Sequence, residues 1–192
     1  PANEVRCMNT RNTMLAQQMV ALAEQDRALL DELAASGEIP SADYHPRVRA
    51  LHQANAERLC AVIDRHGWPG KDTVGEDGSE AAWYIAMHAV FDVDFMQRCC
   101  SALIQAVAAG QAPGWQLAFL EDRIRVLTGR PQRYGTQFEI GDDGWPVPSV
   151  IERPDDVDRR RQALGLEPLS SRLARLRGPG LAGPDDWLRR SA

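Results

Sequence analysis

The feature that most constrains the fold is a set of four segments in which apolar residues recur every three or four positions. This spacing places the apolar side chains on one face of an α-helix. Glycine or proline follows each segment and predicts where the helix ends. The predicted helices run from Asn12 to about Ser36, from Pro46 to Arg65, from Ser79 to Ala109 and from Trp115 to Thr128.

The rest of the sequence predicts additions to this four-helix core. Residues 134–151 alternate in polarity and contain GDDG, which favours a short β-hairpin. A short helix over 154–165 and a basic amphipathic helix over 169–178 would form a C-terminal helical arm. We therefore predict a mainly α protein with a single helical domain over residues 1–178 and a Gly/Pro-rich tail over 179–192.

Charge and composition exclude several classes of protein. A net charge of −5 gives no electrostatic basis for binding nucleic acid. No apolar run approaches the roughly 20 residues that span a bilayer, and the first ten residues lack the layout of a signal peptide. We expect a soluble, cytoplasmic protein with neither a nucleic acid nor a membrane as partner.

Three predicted helices each give up one position of the apolar face to a polar residue. Asp26 takes a leucine position in the first helix, Asn55 interrupts the second, and His88 lies on the aromatic side of the third. Burying an unpaired charge costs several kcal/mol, so such residues tend to meet each other or a ligand. We predict that these three residues share one polar cavity with Arg123 of the fourth helix.

His88 is the candidate catalytic residue, with Asp26 or Asp92 orienting its ring as it acts as a general acid or base. Asp92 would lie four residues after His88 on the same helix. Two alternatives remain: a core histidine that only makes structural hydrogen bonds, and a metal site formed by the same three residues. Because the histidine-rich and Glu-x-x-His spacings of bundle metal sites are missing, we predict neither a metal nor another cofactor.

Several motifs together resemble one protein family: HGWPG, AAWYIAMHAVFDVDF, LEDRIRV, GRPQRYGTQF and RRRQALGLEPL. They resemble the uncharacterised bacterial proteins catalogued as domain of unknown function 6624, over about residues 12–173. The resemblance implies a shared fold and a shared site, and it implies no established reaction. Met87 stands where the family pattern usually has a glutamine before the helical histidine.

The most specific of these motifs, Gln-x-Tyr-Gly-Thr-Gln, is a polar loop directly after the fourth helix. Gly135 permits a turn there, and the neighbouring side chains offer donors and acceptors over a short span. The loop would wall a pocket, or it would bond only to itself and to buried charges as a rigid plug. The predicted substrate-binding residues are Asn55, Asp122, Arg123, Gln132, Tyr134, Thr136 and Gln137.

Two functions from different classes are consistent with these residues. The first is an enzyme that acts on a small polar or peptide-like substrate by histidine-centred acid–base chemistry. The second is a non-catalytic module that binds a small molecule or a protein and contains a structural polar network. The basic segment SSRLARLR and Trp187 also leave open a homo-oligomer.

Overall fold

The computed structural model describes residues 11–40 and 43–177, and within these ranges the protein is mainly α-helical with one β-hairpin. The predicted fold class is therefore confirmed, while the predicted tail at 179–192 lies outside the described residues. None of the described helices is long and apolar enough to cross a membrane. The elements are α1 (Thr13–Ala35), α2 (Pro46–His66), α3 (Lys71–His88), α4 (Val93–Ala108), α5 (Gly114–Leu127), β1 (Phe138–Ile140), β2 (Pro146–Pro148), α6 (Val157–Ala163) and α7 (Leu169–Leu176).

The chain forms two compact units, the first ending at Ala112 and the second beginning at Pro113. Helices α1 to α4 belong to the first unit, and α5 to α7 with the hairpin belong to the second. The single domain over residues 1–178 stays a prediction.

Helices α1 and α3 of the first unit lie side by side and run in the same direction. Near the start of both, a Cβ built on Gly78 would lie 3.4 Å from the Cα of Ala16, so two small residues allow close packing. Further along both helices, Asp26 accepts a hydrogen bond from His88. This packing brings the end of α3 to the middle of α1.

Helix α2 runs antiparallel to α1. Asn55 donates a hydrogen bond to the carbonyl of Leu22, and His52, one turn earlier on α2, meets Asp26, one turn later on α1. Both partners of each pair face the core, where hydrogen bonding offsets the cost of burying a polar group. Three helices therefore converge at Asp26.

The predicted third helix, Ser79 to Ala109, is wrong at its start and in its continuity, whereas its end agrees with that of α4. Helix α3 begins at Lys71, within a stretch that reads as a polar loop, and Gly75, with a φ of 78°, forms a kink inside it. The helix ends at His88, and α4 begins only after Asp92, whose side chain accepts a hydrogen bond from the backbone N–H of Phe95. Asp92 is thus an N-cap and not an interior helical residue.

The second unit is organised around the loop that follows α5. Strands β1 and β2 pair antiparallel, with Phe138 opposite Pro148, and Gln132 forms an isolated parallel bridge with Ile151. Gly135 has a φ of 66°, and a Cβ there would lie 3.0 Å from the side chain of Leu169. The positive φ therefore favours glycine at this turn, and any larger residue would also displace the side chain of Leu169.

Two neighbouring residues of α4 test where the core of the first unit lies. Leu103 is fully buried, whereas Ile104 is 47% exposed. Leu103→Ala should lower the free energy of unfolding by about 2 to 5 kcal/mol, because it leaves a cavity. Ile104→Ala should cost less than about 1 kcal/mol. Denaturant titration of both variants measures this difference, and equal losses would show that α4 presents another face to the core.

Candidate functional site

The carboxylate of Asp26 is shared by two histidines from two other helices. Nε2 of His52 lies 2.9 Å from Oδ1 of Asp26, and Nδ1 of His88 lies 2.9 Å from Oδ2. The two imidazole rings are tilted by 50° with centroids 4.9 Å apart. An ionised carboxylate only accepts hydrogen bonds, so both facing ring nitrogens donate to it.

Burial differs sharply among these three side chains. Asp26 is 1% exposed and His52 is 7% exposed, whereas the side chain of His88 is 20% exposed. Asp26 and His52 are therefore buried, whereas His88 is partly exposed to solvent.

The two histidines keep Asp26 ionised. Burial alone would raise the pKa of Asp26, but hydrogen bonds and positive charge from His52 and His88 outweigh that effect and lower the pKa to about 2. The carboxylate is consequently a fixed negative charge near neutral pH.

Tyr44 connects this cluster to the end of α3. Its hydroxyl is hydrogen-bonded to Nδ1 of His52 and also lies 3.3 Å from the backbone carbonyl oxygen of His88. That carbonyl belongs to the last turn of α3, where no intrahelical donor follows. Burial, with the charge of Asp26 adding to it, raises the pKa of Tyr44 to about 12, so the hydroxyl keeps its proton.

A second tyrosine supports His88 from the preceding turn of α3. The ring centroids of Tyr84 and His88 are 4.0 Å apart, and the guanidinium carbon of Arg27 lies 4.5 Å from the centroid of the Tyr84 ring. This arrangement packs a cation against one side of the aromatic pair. It limits the positions that the His88 ring can adopt.

Asn55 lies in the core as predicted, one helical turn from His52 on the same face of α2. Its Nδ2 donates to the carbonyl of Leu22 at 3.4 Å, and its residue exposure is 1%. Among the described residues, Oδ1 of Asn55 has no hydrogen-bond partner. Asn55 is therefore a second buried polar residue on the core face of α2, next to His52.

Asp92, the alternative partner proposed for His88, does not have the predicted geometry. The spacing of four residues places side chains on one face only within a continuous helix, and α3 ends at His88. Asp92 is exposed, and its carboxylate caps α4. The carboxylate that His88 contacts is that of Asp26.

In the second unit, Asp122 fastens the polar loop from inside. Its carboxylate accepts hydrogen bonds from the backbone N–H groups of Arg133, Tyr134 and Thr136 and from the hydroxyl of Thr136. Asp122 is fully buried, and burial raises its pKa while these four hydrogen bonds oppose the rise. Asp122 is therefore bound by the protein's own loop.

The other predicted loop residues are also engaged within the second unit. The amide of Gln132, which is fully buried, donates to the carbonyls of Gln137 and Ser149 and accepts from the N–H of Gln137. The hydroxyl of Tyr134 donates to Glu121. These contacts match the rigid-plug alternative for this part of the loop.

Arg123 and Gln137 form a pair at the edge of this network, and Nε2 of Gln137 joins the pair to it by donating to the hydroxyl of Thr136. Nε of Arg123 donates to Oε1 of Gln137 at 3.1 Å. Burial lowers the pKa of the Arg123 guanidinium. A shared cavity that joins Arg123 to Asp26, Asn55 and His88 stays a prediction.

The chain matches the model of a family of unknown function (DUF6624) over residues 13–179. It belongs to that family. Comparisons with curated proteins and with solved structures find no match. The matched residues make up most of the chain, and the description of the family names no activity.

The sequence analysis missed His52 and Tyr44 as members of the site. Val48, His52, Asn55, Leu59 and Val62 follow one another in steps of four and three, so His52 lies on the core face of α2. That spacing is a signal that could have identified His52. Tyr44 lies before α2, where no helical pattern applies.

A cavity of about 850 Å³ lies elsewhere in the first unit, between the beginnings of α1 and α3. Its lining mixes cations such as Arg11 and Lys71 with acids such as Glu24 and Glu76, and it does not include the Asp26 cluster. The Asp26 cluster is nevertheless the candidate site, because buried and mutually bonded titratable groups are concentrated at functional sites.

Asp122→Asn tests whether the loop depends on the buried carboxylate. The new amide group would face backbone donors, so we expect a loss of unfolding free energy on the order of 3 kcal/mol. Hydrogen exchange at the amides of Arg133, Tyr134 and Thr136 should become faster. Asp142→Asn, at an exposed position of the hairpin turn, is the matched control. Unchanged exchange at the three amides would show that Asp122 does not hold the loop.

Proposed function

We propose that this protein is an enzyme that acts on a small polar or peptide-like substrate, with His88 as the general acid or base. The observation that carries the proposal is the sharing of Asp26 between His52 and His88, with His88 the most exposed of the three. A histidine whose ring is fixed by a buried carboxylate and whose edge reaches solvent has the arrangement that general acid–base catalysis uses.

The position of the protons follows from Asp26. Because Nδ1 of His88 donates to the carboxylate, neutral His88 carries its lone pair on Nε2. Nε2 would accept a proton from the substrate, and the positive charge that then forms on the ring would face the negative charge of Asp26. The same nitrogen would return the proton to a leaving group.

His52 and Tyr44 would act through Asp26 and not on the substrate. Nε2 of His52 is hydrogen-bonded to the carboxylate oxygen that His88 does not contact, and the hydroxyl of Tyr44 is hydrogen-bonded to Nδ1 of His52. With both oxygens occupied, the carboxylate cannot rotate away from His88 without losing a hydrogen bond. These two residues are therefore proposed to position the catalytic pair.

Arg123 and Gln137 are the proposed substrate contacts of the second unit. A guanidinium binds carboxylate or phosphate oxygens through two parallel N–H groups, so Arg123 would suit an anionic group on the substrate. The roles proposed for Asp122, Gln132, Tyr134 and Thr136 are structural, because these contacts lie within the second unit. They would fix the conformation of the polar loop and would not contact the substrate.

The second candidate is a non-catalytic module that binds a small molecule or a protein. It is favoured by the burial of Asp26 and His52 and by the internal pairing of Asp122 and Gln132. A structural network of this kind would give a rigid surface without proton transfer.

The proposed setting follows from the sequence. We propose action in the bacterial cytoplasm on a small-molecule or peptide ligand, without nucleic acid or a membrane, by a monomer or a homo-oligomer.

His88→Gln is the direct test of the acid–base role. Glutamine keeps hydrogen-bonding groups and approximate size but cannot exchange a proton near neutral pH. A metabolite and dipeptide panel screened by thermal shift would first identify a substrate. Turnover of that substrate should then fall by about 10²- to 10⁴-fold in the variant, the range that general acid–base catalysis contributes.

His66→Gln is the matched control, because His66 is an exposed histidine at the end of α2. Its turnover should equal that of the wild type. Full turnover by a folded His88→Gln protein would remove His88 from the catalytic role. A ligand that wild type binds without turnover would favour the binding module.

A further inference from the structure

Asp26, His52 and His88 bring two imidazoles and one carboxylate to a single point in the first unit. Within residues 11–40 and 43–177, this is the one group of three His, Cys, Asp or Glu side chains placed to hold a metal ion. We propose that these three side chains bind one divalent transition-metal ion. This proposal goes beyond the acid–base role and does not depend on it.

The distances between the ligand atoms suit a single ion. One ring nitrogen of each histidine lies 2.9 Å from a carboxylate oxygen, and the three ligand atoms lie within 4.8 Å of one another. Ligands at 2.0–2.2 Å from a tetrahedral ion are roughly 3.4 Å apart. The 2.9 Å contacts are shorter than this spacing and the 4.8 Å limit is longer, so small side-chain shifts in both directions would complete the site.

The charge of the cluster favours a cation. Asp26 with two neutral imidazoles leaves one negative charge at a position that is 1% exposed. Buried charges are usually paired or bound to a metal, and here two histidine hydrogen bonds stabilise the carboxylate. A divalent ion between the three side chains would replace these hydrogen bonds and bring a charge opposite to that of Asp26.

Tyr44 completes the hydrogen bonds that a metal-bound His52 requires. A histidine that binds metal through Nε2 carries its proton on Nδ1, and metal ligands usually donate that proton to a neighbouring oxygen. Nδ1 of His52 faces the hydroxyl of Tyr44, which in turn can donate to the carbonyl of His88 at 3.3 Å. Each donor in this series of hydrogen bonds then has an acceptor, and Nε2 of His52 can bind the ion.

The ligand types select the class of ion. Imidazole nitrogens suit zinc, iron, cobalt and nickel, whereas calcium and magnesium prefer sites built only from oxygen. Three protein ligands also leave a coordination position for water or substrate, as in catalytic zinc sites. His88, 20% exposed, provides the side from which an ion would enter.

Metal binding and the acid–base role exclude each other at His88. Coordination through Nδ1 places the remaining proton of the neutral ring on Nε2, so that Nε2 no longer accepts a proton. An occupied site would therefore stop turnover that depends on His88 as a base. If the ion itself is catalytic, turnover would require it instead.

The test is titration of the chelator-treated full chain with Co²⁺ and Zn²⁺. We expect one ion per chain, with a visible cobalt spectrum of nitrogen and oxygen ligands and release of cobalt by zinc. His52→Gln and Asp26→Asn should each weaken binding by more than about 100-fold, since changes outside the ligand shell already cost 10- to 100-fold. Tyr44→Phe should weaken it by about 10-fold, and His66→Gln should leave it unchanged.

Circular dichroism checks that each variant is folded. If a ligand variant unfolds, Tyr44→Phe still tests the site, because it keeps all three ligands. Absence of stoichiometric binding, or binding that the folded His52→Gln and Asp26→Asn variants retain, overturns the metal site. Turnover then separates the two proposals. Turnover lost on metal loading supports both, whereas turnover that requires the ion supports the metal site and removes His88 as the base.

Discussion

The first unit depends on one buried carboxylate that two imidazoles share. Asp26 lies on α1, His52 on α2 and His88 at the end of α3, so the three helices can pack closely only if these groups pair. Loss of either histidine would leave a carboxylate oxygen buried without its donor, which is costly in a low-dielectric interior. This contact joins α1 to α2, which runs antiparallel to it, and to the C-terminal end of α3.

The second unit also contains a buried, hydrogen-bonded carboxylate, but this one fixes the conformation of a loop. Asp122 is also a buried acid, but its partners are backbone N–H groups of one loop rather than titratable side chains. Backbone donors cannot exchange protons near neutral pH, so this network fixes shape. Histidines can exchange protons or bind metal, so chemistry is better assigned to Asp26 than to Asp122.

The sequence predicted most of the helices because their apolar spacing is regular, and it predicted Asp26 because an acid took a leucine position. His52 was missed because it is a polar residue beside Leu51, a more hydrophobic residue that a hydrophobic pattern favours for the core, although Leu51 is only half-buried and His52 is buried. The break after His88 was missed because neither glycine nor proline marks it. Both features involve contacts between residues far apart in sequence: His52 bonds to a carboxylate 26 positions away, and the carbonyl of His88 accepts a hydrogen bond from a hydroxyl 44 positions away.

Asp26 accepts a hydrogen bond from a different nitrogen on each histidine, Nε2 of His52 and Nδ1 of His88. Long-range ¹H–¹⁵N correlation spectra of the chelator-treated protein, recorded where both rings are neutral, identify the nitrogen that carries the proton. We predict opposite tautomers, with the proton on Nε2 in His52 and on Nδ1 in His88. A proton on Nε2 of His88 would contradict the account, because that ring would then have no hydrogen to donate to Asp26.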